Sequence, residues 1–156
     1  LIKQKLQGKR EYWQQTEILC MMKKKENHMS QNTFQIGDRV TAIYKTGKYI
    51  GEITGMSDRF YLVRVLAVVK HPMQGDLHNP KQVDVALFHA RKALSYREQT
   101  NVPLNMVKPY EEDIPDYTQS LKKSLEIMKE SLSAEDTPWN RKSLETIKML
   151  ENEYFK

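Results

Sequence analysis

Three of the four histidines of this 156-residue chain lie in one short window. The stretch KHPMQGDLHNP contains His71, Asp76 and His78, and His89 follows soon after it. Imidazole and carboxylate groups bind zinc-like ions and act as acids and bases, and surface loops are common positions for such sites. A metal-dependent enzyme that uses His71, Asp76 and His78, with His89 as a further candidate ligand, is therefore one interpretation of this window.

The spacing of these side chains matches no diagnostic metal or catalytic pattern. The helical zinc motif places two histidines four residues apart around a glutamate, whereas His71 and His78 are seven residues apart. No nucleophile stands beside a base at a readable spacing, and GKYIGEITG lacks the Gly-Lys-Ser/Thr ending of a phosphate-binding loop. We therefore expect no catalytic residue, no bound metal and no cofactor.

The alternative for the histidine window is a rigid surface loop between two strands. Pro72 and Pro80 restrict the backbone, and Gly75 permits a positive φ angle. Asp76 or Asn79 is suited to cap a turn through its side chain. This interpretation makes the window a docking element that has no chemistry of its own.

The middle of the chain follows the two-residue period of β-strands. IGDRVTAIYKTGKYIGEITGM alternates apolar and polar residues about turns at Gly37-Asp38 and Thr46-Gly47, and RFYLVRVLAVVKHP adds a longer buried strand. Shorter strands are predicted about KQVDVAL and NMVKPY, while FHARKALSYREQT fits either a helical turn or a bulged strand. About five or six short strands predict a small Src-homology-3-like (SH3-like) β-barrel over residues 29–112.

Residues 113–156 switch to the period of a helix and predict two helices, each with one apolar stripe. The stripes consist of Tyr117, Leu121, Leu125, Met128 and Leu132, and of Trp139, Ile147, Leu150 and Tyr154. Asp116 is placed to cap the first helix, and Thr137 followed by Pro138 begins the second. The two helices should form an antiparallel hairpin packed on the barrel, which makes the fold α+β.

Composition and charge limit the remaining function classes. A single cysteine, Cys20, excludes an intramolecular disulfide and a multi-cysteine zinc site. The longest apolar run, YLVRVLAVV, is shorter than the about 20 residues of a transmembrane helix, so no such segment is predicted. Residues 29–110 carry eleven basic against six acidic side chains, whereas residues 111–156 carry seven against eleven. The acidic helices can therefore balance part of the basic charge.

The first alternative function is a nucleic-acid-binding barrel, ahead of the metal-dependent enzyme, because basic and aromatic residues share the predicted strands. The candidates are Tyr44, Lys45, Lys48, Tyr49, Arg59, Tyr61 and Arg64. The simpler interpretation is that these residues have no binding role: the tyrosines pack within the pleated sheet and the cations are exposed to solvent.

Residues 1–28 show poor periodicity and are predicted to be disordered or an upstream extension that is not part of the natural protein. In KKKENHM, codons AAG GAG for Lys25 and Glu26 close before an ATG for Met29 would resemble a bacterial ribosome-binding site. We therefore place the natural start at Met29.

Several long motifs resemble the kinase-associated protein B family of bacilli. They are YKTGKYIGEIT, HPMQGDLHNPKQVDV, FHARKALSYREQTNVP, MVKPY, PDYTQSL and EYFK. The resemblance covers almost all of residues 33–156. It implies a non-enzymatic accessory protein in signal transduction, linked to the sporulation sensor histidine kinase B and its phosphorelay, with that kinase or another phosphorelay protein as partner.

Members of this family have been called lipoproteins, a label that requires a lipid-accepting cysteine after an apolar signal. TEILC places Cys20 after Glu17, Ile18 and Leu19, and no apolar stretch precedes it. This departure argues against lipid anchoring. We expect a cytoplasmic protein that meets the kinase at the inner face of the membrane, with any membrane association made through the kinase.

The predicted contact surface combines the loop at residues 71–80 with the basic face of the barrel. Its partner-binding candidates are His71, Gly75, Asp76, His78, Lys45, Lys48, Tyr49, Arg59, Tyr61 and Arg64.

Overall fold

A computed structural model of the chain describes residues 33–85 and 87–156. The predictions for residues 1–28, including the start at Met29 and the argument about Cys20, lie outside the described residues. The chain from Gln35 to Lys156 forms one compact unit.

In the described part of the chain, an antiparallel sheet of five strands precedes two helices. The strands are β1 (Arg39–Tyr44), β2 (Gly47–Met56), β3 (Phe60–Lys70), β4 (Gln99–Pro103) and β5 (Val107–Pro109). The helices are α1 (Tyr117–Ser133) and α2 (Pro138–Tyr154), and one 3-10 turn, Leu104–Met106, joins β4 to β5. The predicted α+β class and the predicted order of strands followed by helices are confirmed.

The sheet has the order β4-β3-β2-β1-β5 and does not close on itself. Strand β4 pairs with β3, from Phe60 opposite Pro103 to Arg64 opposite Gln99. Strand β5 is three residues long and pairs with β1 alone. The prediction of an SH3-like barrel is therefore not confirmed, because no ladder of hydrogen bonds joins the two edge strands.

The connection between β3 and β4, residues 71–98, contains neither strand nor helix in its described part. The short strand predicted about KQVDVAL, residues 81–87, is wrong for residues 81–85 and 87. Lys81 has a φ angle of 61°, in the left-handed region that an extended strand excludes. This long irregular connection carries the histidine window.

The core lies between the sheet and the two helices. Its buried members come from β2, β3, the irregular connection and both helices: Tyr49, Val65, Val68, Ala93, Leu121, Leu125, Leu132, Trp139 and Ile147. Burying a large apolar side chain contributes about 1.5–3 kcal/mol, so this cluster is the main source of stability. Both predicted helical stripes face it, with Tyr117, Met128 and Tyr154 partly buried against it.

Both helices begin as predicted. The Asp116 carboxylate accepts the Gln119 N–H at 3.1 Å, and the Thr137 hydroxyl accepts the Asn140 N–H at 3.1 Å. Pro138 follows Thr137 at the start of α2. The two helices run antiparallel, since Lys122 near the start of α1 lies 5.0 Å from the ring centre of Phe155 at the end of α2.

The turn between β1 and β2 lies one residue earlier than predicted. Its central residues are Lys45 and Thr46, with φ angles of 48° and 81°, and Tyr44 pairs with Gly47. Gly47 serves a different purpose, because a Cβ atom there would lie 2.5 Å from the hydroxyl of Tyr49. Gly47 therefore leaves space for the ring of Tyr49, and Lys45 and Thr46 adopt the positive φ angles of the turn.

Gly51 permits a close approach of β2 to β3. A Cβ atom at this position would overlap the backbone carbonyl oxygen of Arg64, which belongs to the sheet and has little freedom to move. At Gly55 the nearest atom would be the Cβ of Leu62 at 3.3 Å, a contact that a small shift relieves.

We predict that Gly51→Ala lowers the free energy of unfolding by about 2–4 kcal/mol, since the sheet must distort to admit the methyl group. The matched control Gly55→Ala should cost less than about 1 kcal/mol. Urea unfolding followed by far-UV circular dichroism measures both values. Equal losses in the two variants would contradict the steric argument.

Candidate functional site

The loop that carries the histidine window forms one wall of a cleft. The cleft has a volume of about 1160 Å³ and lies between the end of β3, the loop after it and the facing surfaces of α1 and α2. Its apolar lining includes Met73, Met128, Leu132 and Trp139. Small-molecule sites usually have volumes of about 300–1,000 Å³, so this cleft is large enough for a ligand.

His71 is fully buried at the base of the loop. Its Nδ1 lies 3.0 Å from the carbonyl oxygen of Pro72, and its Nε2 lies 3.0 Å from the hydroxyl of Tyr154. The same hydroxyl accepts the N–H of Ala93 at 2.9 Å. One proton arrangement satisfies all three contacts: His71 is neutral, its Nδ1–H donates to Pro72, and Tyr154 donates to its Nε2. Burial lowers the pKa of His71, which favours this neutral form.

Gln74 joins the loop to the segment that precedes β4. Its side-chain oxygen accepts the N–H of Arg91 at 2.8 Å, and its amide nitrogen donates to the carbonyl oxygens of Arg91 and Pro72, both at 3.0 Å. Next to it, the N–H of Gly75 donates to the carbonyl of His89 at 3.0 Å. The Gln74 amide thus makes the two hydrogen bonds to the main chain of Arg91 that a neighbouring strand would otherwise make.

Gly75 is required at its position for two reasons. Its φ angle of +93° lies in the region that favours glycine, as predicted. A Cβ atom there would also lie 2.9 Å from the ring of Phe88 and 3.3 Å from the indole nitrogen of Trp139. The loop can therefore pass close to the start of α2.

The Asp76 carboxylate caps the turn at the tip of the loop. One oxygen accepts the N–H of His78 and the other accepts the side-chain amide of Asn79, both at 2.9 Å. The Asn79 amide and the His78 N–H hold the pKa of Asp76 below its ordinary value. The predicted role of Asp76 as a turn cap is confirmed.

Three tyrosines hold the backbone of Ala93 and Leu94. Tyr154 accepts from Ala93, the N–H of Leu94 donates to the Tyr49 hydroxyl at 3.3 Å, and the Tyr117 hydroxyl donates to the Leu94 carbonyl at 2.6 Å. Burial raises the pKa of Tyr49 and of Tyr117 to about 12. Sequence reasoning missed these roles, since only the strand and stripe positions of the tyrosines were visible.

Two of the metal and catalytic candidates of the window, His71 and Asp76, build the loop through hydrogen bonds. Both ring nitrogens of His71 and both carboxylate oxygens of Asp76 have partners within the protein, while His78 and His89 are exposed. In residues 33–85 and 87–156, no three His, Cys, Asp or Glu side chains come together as a group that could hold a metal ion.

The basic candidates do not form one surface. Lys48 lies opposite Lys70 at one end of the β2–β3 pair, beside Lys45 of the preceding turn. Arg59 and Tyr61 lie at the opposite end of the same pair. Nine residues separate Tyr61 from Lys70 along β3, which corresponds to about 30 Å. Cations at the two ends therefore cannot contact the same phosphate group.

Four other partner-binding candidates are buried or paired. Arg64 donates to Glu52 at 3.0 Å across the two strands. Tyr49, His71 and Gly75 are buried, so they can support a contact surface and cannot belong to its outer layer.

We predict that His71 makes folding stability depend on pH. Its folded pKa lies below the ordinary value of 6.5, so the unfolded chain binds a proton more readily. The stabilisation is present above pH 6.5 and is lost as pH falls through that value toward the folded pKa. Between about pH 7.5 and about pH 5.5, the wild type should lose up to about 1 kcal/mol more than His71→Gln.

Urea unfolding at the two pH values tests this difference, and His78→Gln, at an exposed position, is the control. The control should follow the wild type. If His71→Gln shows the same pH dependence as the wild type, the neutral assignment of His71 is wrong.

Comparison with known proteins gives consistent matches along the described part of the chain. A sequence profile described as Kinase associated protein B matches residues 44–155. Kinase-associated lipoprotein B of Bacillus subtilis (strain 168) is 52% identical over 124 residues, which cover 80% of this chain and 97% of the relative. The X-ray crystal structure of kinase-associated protein B from Bacillus cereus is similar with a TM-score of 0.67 and 49% identity, covering 78% of this chain and 98% of that chain.

The name of the Bacillus subtilis relative bears on the predicted location. That protein is called a lipoprotein, which does not fit well with a purely cytoplasmic location. Neither α1 nor α2, the two α-helices of the described chain, is long and apolar enough to span a bilayer. On the profile match and on 52% identity over 80% of its length, this chain belongs to the kinase-associated protein B family.

Proposed function

We propose that this chain is a non-enzymatic accessory protein of the sporulation sensor histidine kinase B, acting by protein–protein interaction in the phosphorelay. Family membership is the observation that carries the proposal, because the similar proteins are named for an association with a kinase. The mechanism is binding that favours one state of the kinase over another.

The contact surface consists of a basic corner and a loop tip. We define the basic corner as Lys45, Lys48 and Lys70, and the loop tip as residues 77–81. Lys48 is partly buried, and the other residues of both parts are exposed. The hydroxyl of Thr46, in the turn beside the corner, accepts the N–H of Met73 at 2.9 Å. This bond ties the turn to the loop, so the two parts are presented together.

The rigidity of the loop supports a role in recognition. Asp76, Gly75 and Gln74 each fix its backbone through the contacts described above. A surface that is already ordered loses little conformational entropy when it binds, which favours affinity. The strained turn at Thr46, whose φ angle of 81° is rare for a β-branched residue, is held in the same place.

A non-enzymatic role is supported by the partners of the acid–base side chains in the window. His71 and Asp76 make hydrogen bonds that build the loop, and the groups that bind them are main-chain, tyrosine and asparagine groups. Nucleic-acid binding has less support, because its candidate cations lie at two ends of the sheet and Arg64 is paired with Glu52.

We predict that the double variant Lys48→Glu/Lys70→Glu weakens binding to the cytoplasmic part of kinase B by about tenfold or more, since it reverses the charge of the basic corner. Leu77→Ala/His78→Ala, at the exposed loop tip, should also weaken binding. Biolayer interferometry with the kinase from the source organism measures both effects.

The matched control is Lys123→Glu/Lys148→Glu, which makes the same charge change at two exposed positions on α1 and α2. An equal loss in this control would refute the basic corner as the contact surface. Absence of binding by the wild-type chain would refute the proposed partner.

The proposal also places the encounter at the inner face of the membrane. We expect the protein in the membrane fraction of cells that contain kinase B and in the soluble fraction of cells that lack it. Fractionation of both strains, followed by immunoblotting, measures the distribution. Membrane retention without the kinase would instead indicate an anchor of the protein's own, as the name of the Bacillus subtilis relative indicates for that protein.

A further inference from the structure

We propose that the cleft between the loop after β3 and the two helices binds a small, mostly apolar, uncharged molecule that bears one hydrogen-bonding oxygen. This inference goes beyond the association with a kinase and does not depend on it.

The cleft offers a large apolar surface to such a ligand. Its volume of about 1160 Å³ is enclosed in part by Met73, Met128, Leu132 and Trp139. Methionine side chains are flexible and polarisable and adapt to the shape of a ligand, while an indole offers a wide flat face. This lining favours a ring system or a branched hydrocarbon.

One polar group inside the cleft has no partner in the protein. Ser143 lines the cleft from α2, its side chain is fully buried, and its hydroxyl is the one buried side-chain N or O atom of the described chain without a hydrogen bond. A buried hydroxyl without a partner is costly, so native proteins rarely leave one unless a ligand or water satisfies it.

Other helical hydroxyls of the same protein show what Ser143 lacks. Ser120 donates to the Tyr117 carbonyl at 2.7 Å and Ser124 donates to the Leu121 carbonyl at 2.8 Å. Such bonds to the preceding turn are the usual solution for serine in a helix. Because Ser143 does not use it, its hydroxyl has no hydrogen bond to lose when a molecule enters the cleft.

The distribution of charge around the cleft indicates an uncharged ligand. Charged side chains that line it have both signs: Lys70 and Lys81, Asp84 and Glu135, all exposed. A ligand charge placed beside the buried hydroxyl would lose its hydration without a buried counter-charge, which is strongly unfavourable. A hydroxyl or carbonyl oxygen of an uncharged ligand would form a hydrogen bond with the Ser143 hydroxyl at little desolvation cost.

Two probes with the same ring system, 2-naphthol and naphthalene, test the site. They differ in one hydroxyl group. The chain contains eight methionines, so methyl-labelled methionine reports the place of binding by NMR. Saturable shifts should appear at Met73 and Met128, while the exposed Met56, Met106 and Met149, which do not line the cleft, stay unchanged. Shifts at the exposed methyl groups, or no saturable shift, would overturn the proposal.

Substitution of Ser143 tests the polar contact. The wild type should bind 2-naphthol about fivefold more tightly than naphthalene, the effect of one hydrogen bond. In Ser143→Ala this preference should disappear, with naphthalene binding unchanged. A preference that persists in the variant would overturn the role of the hydroxyl.

A pair of exposed positions on α1 provides the matched control. Ser131 lines the cleft and Ser133 does not. Ser131→Trp should reduce the affinity for both probes at least about fivefold by filling the space, whereas Ser133→Trp should not. Equal binding to both variants would show that the probes bind elsewhere.

Discussion

The structure depends on how the partly buried backbone of residues 91–94 is hydrogen-bonded. This segment belongs to no strand or helix, and buried main-chain groups must nevertheless find partners. Side chains from four parts of the chain supply them: Gln74 of the loop, Tyr49 of β2, Tyr117 of α1 and Tyr154 of α2. The sheet, the loop and both helices are thereby joined at one place, and the wall of the cleft takes its position from that junction.

The parts of the fold that follow local rules could be predicted from the sequence. The two-residue period revealed β1 to β3, and the residue types at Asp116 and Thr137 marked the starts of the helices. The connection between β3 and β4 follows no local rule, because its partners are distant: 17 residues separate Gln74 from Arg91, and 83 separate His71 from Tyr154. Closure of the sheet is also a long-range property, and β5 proved too short to provide it.

Residue type was a poor guide to the candidate site, for a physical reason. Histidine and aspartate are candidate site residues because they can ionise. Here burial keeps His71 neutral, and the Asp76 carboxylate caps a turn. Ser143 occupies an ordinary position on the inner face of α2, and only the absence of a partner distinguishes it. Sequence contains no signal for an unmade hydrogen bond, since that depends on every neighbouring group in space.

The junction at residues 91–94 has a consequence for how the protein assembles. Its bonds need the sheet, the loop and both helices in place, so we expect the segment to order late in folding. The segment is held by side chains and not by a paired strand, and Gln74 of the junction also lines the cleft. The position of this cleft wall therefore depends on four side chains that are distant from one another in sequence.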